Sequence, residues 1–316
     1  MKYKIIINPM SGRGAGAATE PEIEQLLIKH SLNFDIVLTE YPWHAVELTR
    51  QAVEDGYDVI VAVGGDGTAN EVINGLMLSK KNGDKTAAMG VLSVGRGNDF
   101  AYGMNIPNGI ESGCQVLAQG YRRMFDVGIV KGGLYPQGRY FGNGVGIGFD
   151  AVVGFVAAKM TKVSGFLSYI LAALKTIFLY YKAPFVQVDY DQKTLTQPSL
   201  MVSIMNGRRL GGGFYMAPMA ETGDGLFDIC IAGEISRLKI FSVMFRFMKG
   251  TQATHPAIKM DRARHVTVTA MQGKLPAHAD GETLCVDGTR LELEILPLQL
   301  EIICQLPQES IIGETL

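Results

Sequence analysis

Gly64-Gly65-Asp66-Gly67-Thr68 constrains this chain more than any other stretch. It follows a wholly apolar run, Val59–Val63, and leads into a segment with helical spacing, Thr68–Ser79. A glycine-rich turn between a buried strand and a helix lets the backbone approach a ligand closely. The free N–H groups and dipole of the helix N-terminus then favour an anion such as phosphate. An aspartate in that turn repels phosphate unless a cation lies between them, so Asp66 implies Mg²⁺. A glycine pair alone reads as an ordinary strand-to-helix turn; Asp66 and Thr68 together carry the phosphate reading.

Around this loop, strand-like and helix-like segments alternate. Lys4–Asn8, Phe34–Thr39, Asp58–Val63 and Ala87–Leu92 read as strands, and Thr19–His30, His44–Asp55 and Thr68–Ser79 as helices. Thr19 with Glu22 three residues on has the form of a capping box. Such alternation specifies a parallel sheet covered on both faces. Past Phe125 short strands dominate: Phe185–Tyr190, Leu200–Met205, Leu226–Ala232, His265–Thr269, Thr283–Val286 and Leu291–Ile295. Two helical stretches, Gly165–Tyr181 and Ser236–Lys249, interrupt them. The expected fold is therefore α/β plus all-β: a doubly wound parallel-sheet domain over residues 1–126 and a β-rich domain over 127–316. A length of 316 residues suits two domains.

A hydrophobic share of 47% supplies packed cores, and a net charge of −2 with scattered basic residues argues against nucleic-acid binding. Cys114, Cys230, Cys285 and Cys304 contain no C-x-x-C pair, which disfavours a zinc or redox site. Three of them, Cys230, Cys285 and Cys304, read as buried thiols in a reducing compartment. No signal-peptide pattern opens the chain, so a cytoplasmic location is expected. Phe166–Tyr181 is almost all apolar but falls short of the roughly 20 residues a membrane span needs. Ser168, Lys175, Thr176 and Lys182 share one narrow helical stripe, and packing against a sheet is favoured over contact with a membrane. His44, His255, His265 and His278 lack metal-ligand spacing and read as surface or packing residues. Asp150 reads as a helix cap.

Two further loops follow the first and fourth expected strands. Asn8-Pro9-Met10-Ser11-Gly12 fits a second nucleotide contact, and Ser93-Val94-Gly95-Arg96-Gly97-Asn98-Asp99-Phe100-Ala101 a third. In a parallel sheet ligands collect outside the carboxyl ends of the strands, so the three loops converge. Asp66 and Asp99 are then placed to share a metal or its waters, although Asp99 also suits a helix N-cap. A loose G-x-G-x-x-A pattern at Gly12, Gly14 and Ala17, with Asp35 further on, is a weak dinucleotide signal; a Walker loop is absent.

In this order the loops resemble the diacylglycerol kinase catalytic-domain family, whose relatives include sphingosine, ceramide and, more distantly, NAD kinases. Asn70 and Glu71 complete a G-G-D-G-T-x-N-E element. Asn143–Asp150, Gly211-Gly212-Gly213, Ala217-Pro218, Asp224-Gly225-Leu226 and Asp280-Gly281-Glu282 resemble the family's later elements. The resemblance covers nearly the whole chain. It implies a nucleotide-binding α/β domain, a β-sandwich domain, and a C-terminal strand near Leu298–Cys304 that packs back on the first domain. It further implies ATP and Mg²⁺ as cofactors and a lipid substrate met transiently at the membrane surface. Asn8, Ser11, Thr39, Gly64, Gly65, Gly67, Thr68, Ser93 and Asn98 fall at nucleotide-binding places, and Asp66 and Asp99 at metal-binding ones. Glu282 takes the place of the base, with Asp280 and Asp99 assisting catalysis.

Three positions depart from the family pattern. Arg96 stands where the family has Thr. Met219 and Gly223 replace acidic residues that help hold a structural magnesium, leaving Asp224 alone there. The leading expectation is phosphorylation of diacylglycerol. Phosphorylation of NAD and a regulatory protein with reduced catalysis are the alternatives, and a Rossmann dehydrogenase rests only on the loose pattern at Gly12. The sequence sets no oligomeric state, and a homodimer is compatible with it.

Overall fold

A computed structural model describes residues 1–80, 86–95, 97–160, 166–179 and 183–306. The first domain is built on four parallel strands: β1 (Lys2–Ile7), β2 (Asn33–Leu38), β3 (Val59–Gly64) and β4 (Ala88–Ser93). Their order is β4-β3-β1-β2. Every residue of β3 and β4 is buried, as expected where helices cover both faces. The helices are α1 (Ser11–Lys29), α2 (His44–Glu54), α3 (Asp66–Ser79), α4 (Asp99–Gly103) and α5 (Ile110–Gln119). Each fully buried Val or Ile of this sheet contributes roughly 1.5–3 kcal/mol by leaving water.

The strand–helix alternation was legible, with bounds within one or two residues except in α1. There, Gly12, Arg13 and Gly14 take left-handed backbone angles, φ 59°, 66° and 90°. The chain turns through these residues, and the regular helix starts ahead of Thr19. Thr19 therefore sits inside the helix and donates its hydroxyl to Gly16 O at 2.7 Å instead of capping the end.

The second half adds β5 (Arg122–Gly132), β6 (Tyr135–Phe141), β7 (Gly144–Gly148), β8 (Phe185–Tyr190), β9 (Lys193–Met205), β10 (Phe227–Gly233), β11 (Ile258–Ala263), β12 (His265–Gln272), β13 (Leu275–Ala279), β14 (Glu282–Gly288) and β15 (Arg290–Ile303). These pair antiparallel and form a sandwich-like domain around its own core, which includes Phe141, Phe227, Val188 and Leu284. Three helices cover one side: α6 (Phe149–Ala158), α7 (Phe166–Leu179) and α8 (Arg237–Lys249).

β15 joins the two halves. Its first residues pair antiparallel with β12, and Ile302 lies beside Met89 of β4 in parallel. Leu300 and Ile302 are buried in the core of the first domain, whereas Leu291 and Leu293 are buried in that of the second.

α7 corrects the expected stripe. Ser168 and Thr176 are buried while Lys175 is exposed, so these residues do not share an outer face. Lys182 lies outside the described residues. The outward positions are instead apolar: Leu167 and Phe178 are 55% and 60% exposed, and Leu238 and Phe245 of α8 are 80% and 57% exposed. Among the described residues no helix is long and apolar enough to cross a membrane.

Candidate active site

Three loops meet at the carboxyl ends of β1, β3 and β4. Asn8 folds its loop into a local turn, its Oδ1 accepting Met10 N–H at 3.0 Å, and donates Nδ2 to Thr68 Oγ1 at 3.1 Å. The second and third loops touch backbone to backbone: a Cβ on Gly95 would lie 2.3 Å from Gly65 Cα. Only glycines permit that approach. Ser11, Gly65, Gly67 and Thr68 consequently line one cavity at the start of α3, where unpaired helix N–H groups favour phosphate.

Asp66 and Asp99 face each other across Gly97. A Cβ there would lie 3.0 Å from Asp66 Oδ2 and 3.2 Å from Asp99 Oδ2. Asp66 accepts Phe100 N–H at 2.9 Å. Asp99 accepts Gly212 N–H at 3.0 Å and pairs with Arg209 Nε at 2.9 Å. Asp99 is therefore no N-cap; its carboxylate crosses to the second domain. Burial, and for Asp99 also the nearby Asp66 charge, pushes both carboxyls above their ordinary range. Two such carboxylates are the donor set Mg²⁺ takes when substrate phosphates and water complete its shell, so the residues fit that cation.

The Asp280–Glu282 turn closes the cavity from the other domain. Asp280 takes a left-handed φ of 49°. Its buried carboxylate accepts Asn70 Nδ2 at 2.9 Å and the N–H groups of Gly142, Asn143 and Gly144 at 2.8, 3.0 and 2.9 Å. With four donors in place, Asp280 fixes the turn, and it borders the cavity beside Glu282. The turn delivers Glu282 over α3: a Cβ on Gly67 would lie 2.8 Å from Glu282 Oε1. Arg139, buried and stacked on Trp43 at 4.4 Å, donates to Asn70 Oδ1 at 2.7 Å and locks Asn70 toward Asp280.

The cavity, about 430 Å³, continues beyond Glu282 into a largely apolar chamber. Phe149, Val153, Leu200, Phe214, Ile240 and Phe247 are among its walls, so α6, α7 and α8 roof the extension of the site.

Several expected residues stand elsewhere. Thr39, Gly64, Ser93 and Asn98 do not line the cavity. Gly64 and Ser93 pair with each other in the sheet behind the loops, and Thr39 donates its N–H to Ile7 O at 2.8 Å at the edge strand. Asn98, with φ 51°, shapes the start of α4. Asp224 is also off the cavity. Its Oδ2 lies 3.3 Å from Arg262 Nη1, whose Nε reaches Asp228 Oδ1 at 3.2 Å and whose Nη2 reaches Met219 O at 3.4 Å. A guanidinium thus occupies the place between these oxygens, and the residues do not fit a structural metal. Arg96 lies outside the described residues.

Sequence reasoning missed Arg209, which stacks on Tyr102 at 3.7 Å and bridges the domains through Asp99. Its only sequence signal was its place just before Gly211-Gly212-Gly213. His278, expected at the surface or in packing, is a buried wall of the chamber. Asp35, which the dinucleotide reading required, is bonded to Tyr57 and Lys2 instead.

The description "diacylglycerol kinase catalytic domain" matches residues 2–130, and the "YegS C-terminal NAD kinase beta sandwich-like domain" matches residues 143–304. The chain belongs to the diacylglycerol kinase catalytic-domain family. A Staphylococcus saprophyticus protein named diacylglycerol kinase is 26% identical over 282 residues, covering 89% of this chain and 88% of its own. A Staphylococcus aureus protein of the same name is 26% identical over 302 residues, covering 95% and 91%. Among solved structures, a diacylglycerol kinase from Bacillus anthracis superposes with a TM-score of 0.72 at 19% identity, over 96% of this chain and 97% of that one. An Archaeoglobus fulgidus NAD kinase in complex with ATP gives 0.51 at 14% identity, over 96% and 93%. The structural likenesses establish the shared fold, an α/β domain with a β-sandwich-like partner. Membership in the family makes the chain a kinase, a phosphotransferase with an alcohol group as acceptor.

Proposed function

We propose that this kinase transfers the γ-phosphoryl group of ATP, with Mg²⁺, to a lipid hydroxyl, with diacylglycerol the first candidate and phosphatidic acid its product. The observation that carries the reading is the single cavity running from the glycine loops past Glu282 into an apolar chamber. A nicotinamide dinucleotide would gain little from such walls, whereas an acyl chain is matched to them. The relatives named diacylglycerol kinase support the same acceptor.

Phosphoryl transfer rests mostly on positioning and neutralisation of charge. Asn8, Ser11, Gly65, Gly67 and Thr68 hold the phosphates at the α3 N-terminus, and Asp66 and Asp99 hold the cation. Bound Mg²⁺ would offset the charge that develops on the phosphate oxygens. Glu282 accepts the proton of the attacking lipid hydroxyl, whose oxygen bonds to the γ-phosphorus as ADP leaves. Asp280, through its four N–H partners, sets the Glu282 turn. The exposed Leu167, Phe178, Leu238 and Phe245 lie on the helices that roof the chamber and suit transient contact with the membrane that holds the substrate.

The test is an ATP-consumption assay with Mg²⁺ and, separately, diacylglycerol, sphingosine, phosphatidylglycerol and NAD, beside Asp99→Asn. Lipid-dependent turnover lost in the variant is the expected result. Turnover with NAD alone would replace this reading with an NAD kinase.

A further inference from the structure

One polar pair in the chamber wall has no part in the chemistry above. Asp150, on the first turn of α6, is partly buried and lines the chamber, with its Oδ1 accepting Ala151 N–H at 2.9 Å and its Oδ2 accepting the Ser203 hydroxyl at 2.9 Å. His278 on β13 is buried in that wall. Its Nδ1 accepts Gly281 N–H at 3.2 Å, so in the neutral ring Nε2 carries the proton and is a donor. Among the described residues no protein group accepts that proton.

The two polar atoms converge over a glycine, which leaves room for both. A Cβ on Gly146 would lie 2.5 Å from Asp150 Oδ2 and 2.5 Å from His278 Nε2. No hydrogen bond joins the two side chains, and β7 contributes no side chain at that position. Both residues line the chamber, which is the side from which a polar atom of a ligand approaches them. His278 and Glu282 also stand on the two arms of one turn. A lipid with its hydroxyl at Glu282 therefore passes this pair as it enters the chamber.

We propose that His278 Nε2 and Asp150 Oδ2 bind a second, uncharged oxygen of the acceptor, an ester carbonyl or neighbouring hydroxyl, and so select acylated polyols over simple long-chain alcohols. This rests on the lipid-kinase reading. Burial supports the uncharged ligand: it lowers the His278 imidazole to about 4 and raises the Asp150 carboxyl to about 7, so neither favours a charge. An ester oxygen accepts from His278, and from Asp150 in its protonated form. A hydrocarbon alcohol leaves the His278 donor desolvated and unpaired, which is the strongest source of discrimination between such ligands.

The test measures binding of a fluorescent diacylglycerol and of a fluorescent long-chain primary alcohol to the full chain in detergent micelles, with turnover of both in parallel. The wild type should prefer diacylglycerol about tenfold or more. His278→Phe should abolish the preference, leave ATP affinity unchanged and raise KM for diacylglycerol more than it lowers kcat. His278→Gln, which keeps an N–H donor, should restore most of it. Asp150→Asn, nearly the same shape, reads out the other half of the site should the phenylalanine variant fail to fold. Equal weakening of both lipids in His278→Phe would reduce the histidine to a structural prop and overturn the proposal. So would an unchanged preference in all three variants while lipid turnover persists, and in that case the kinase reading stands. Failure of both lipids to bind the wild type would overturn the proposal and the lipid reading together.

Discussion

Glu282 and Asp280 are neighbours in one turn with opposite surroundings: one is exposed to the cavity, the other enclosed by four donors. Replacing Glu282 with Gln should therefore leave the dissociation constant for ATP unchanged and lower kcat by about 10²–10⁴-fold, the usual range for a lost general base. Isothermal titration with a non-hydrolysable ATP analogue, beside steady-state kinetics, separates the two effects. Asp150 carries a pH signature. Burial, the main cause, raises its folded pKa to about 7, while an unfolded aspartate titrates near 4. Between those values the folded chain holds the proton that the unfolded chain has released, so stability falls as pH rises through this window. The groups facing Asp150 are Ser203, the Ala151 N–H, His278 and Cys230; the last two are neutral there. Melting temperatures of the wild type from pH 4.5 to 8 should decline more steeply than those of Asp150→Asn.

At the scale of elements, the loops work because their backbones nearly touch. Gly95→Ala would put a Cβ 2.3 Å from Gly65 Cα, and backbone cannot yield as a flexible side chain does. The expected outcome is ATP affinity weakened about tenfold or more, seen by titration, with a circular dichroism spectrum like the wild type's. The helices α7 and α8 are apolar on the inner side, where they line the chamber, and on the outer side, where Phe178 and Leu238 meet solvent. Phe178→Ser with Leu238→Ser should reduce sedimentation with phosphatidylglycerol-containing vesicles severalfold, while turnover of a short-chain, detergent-dispersed substrate is retained. Unchanged sedimentation would remove these helices from membrane contact. Single-sequence patterning read α7 as a helix correctly, but its polar stripe pointed the wrong way. Ser168 and Thr176 are small enough to be buried, and only the packing of α6 and α8 against α7 shows which side is covered.

Across the whole molecule, β15 makes the two halves depend on each other. Leu300 is buried in the core of the first domain although it lies near the end of the chain. Asp126 ties the same strand down, accepting Leu298 N–H at 2.7 Å and, from the second domain, Gly225 N–H at 2.7 Å. Leu300→Ala should cost about 2–5 kcal/mol, as buried leucine truncations do. Because the strand belongs to both cores, urea denaturation followed by tryptophan fluorescence and by circular dichroism should show one coincident transition, shifted as a whole. Two separated transitions in the variant would mean that the halves unfold independently.

The local sequence determined the parallel sheet, the three glycine loops and the places of Asp66 and Asp99. Each depends on a short run whose conformation is nearly fixed by its own residues: apolar strands, glycines that allow close approach, and an aspartate opening a helix. Glu282 was legible only through the resemblance, since an Asp-Gly-Glu turn by itself looks like any surface turn. Tertiary structure alone decided the rest. It filled Asp280 with donors from a distant strand, and it put Arg209 on Asp99 and Arg262 between Asp224 and Asp228. It also buried His278 beside Asp150 across a glycine. These contacts join residues from tens to more than a hundred positions apart. No local periodicity encodes such pairs, because their geometry exists only once the two cores have packed around β15.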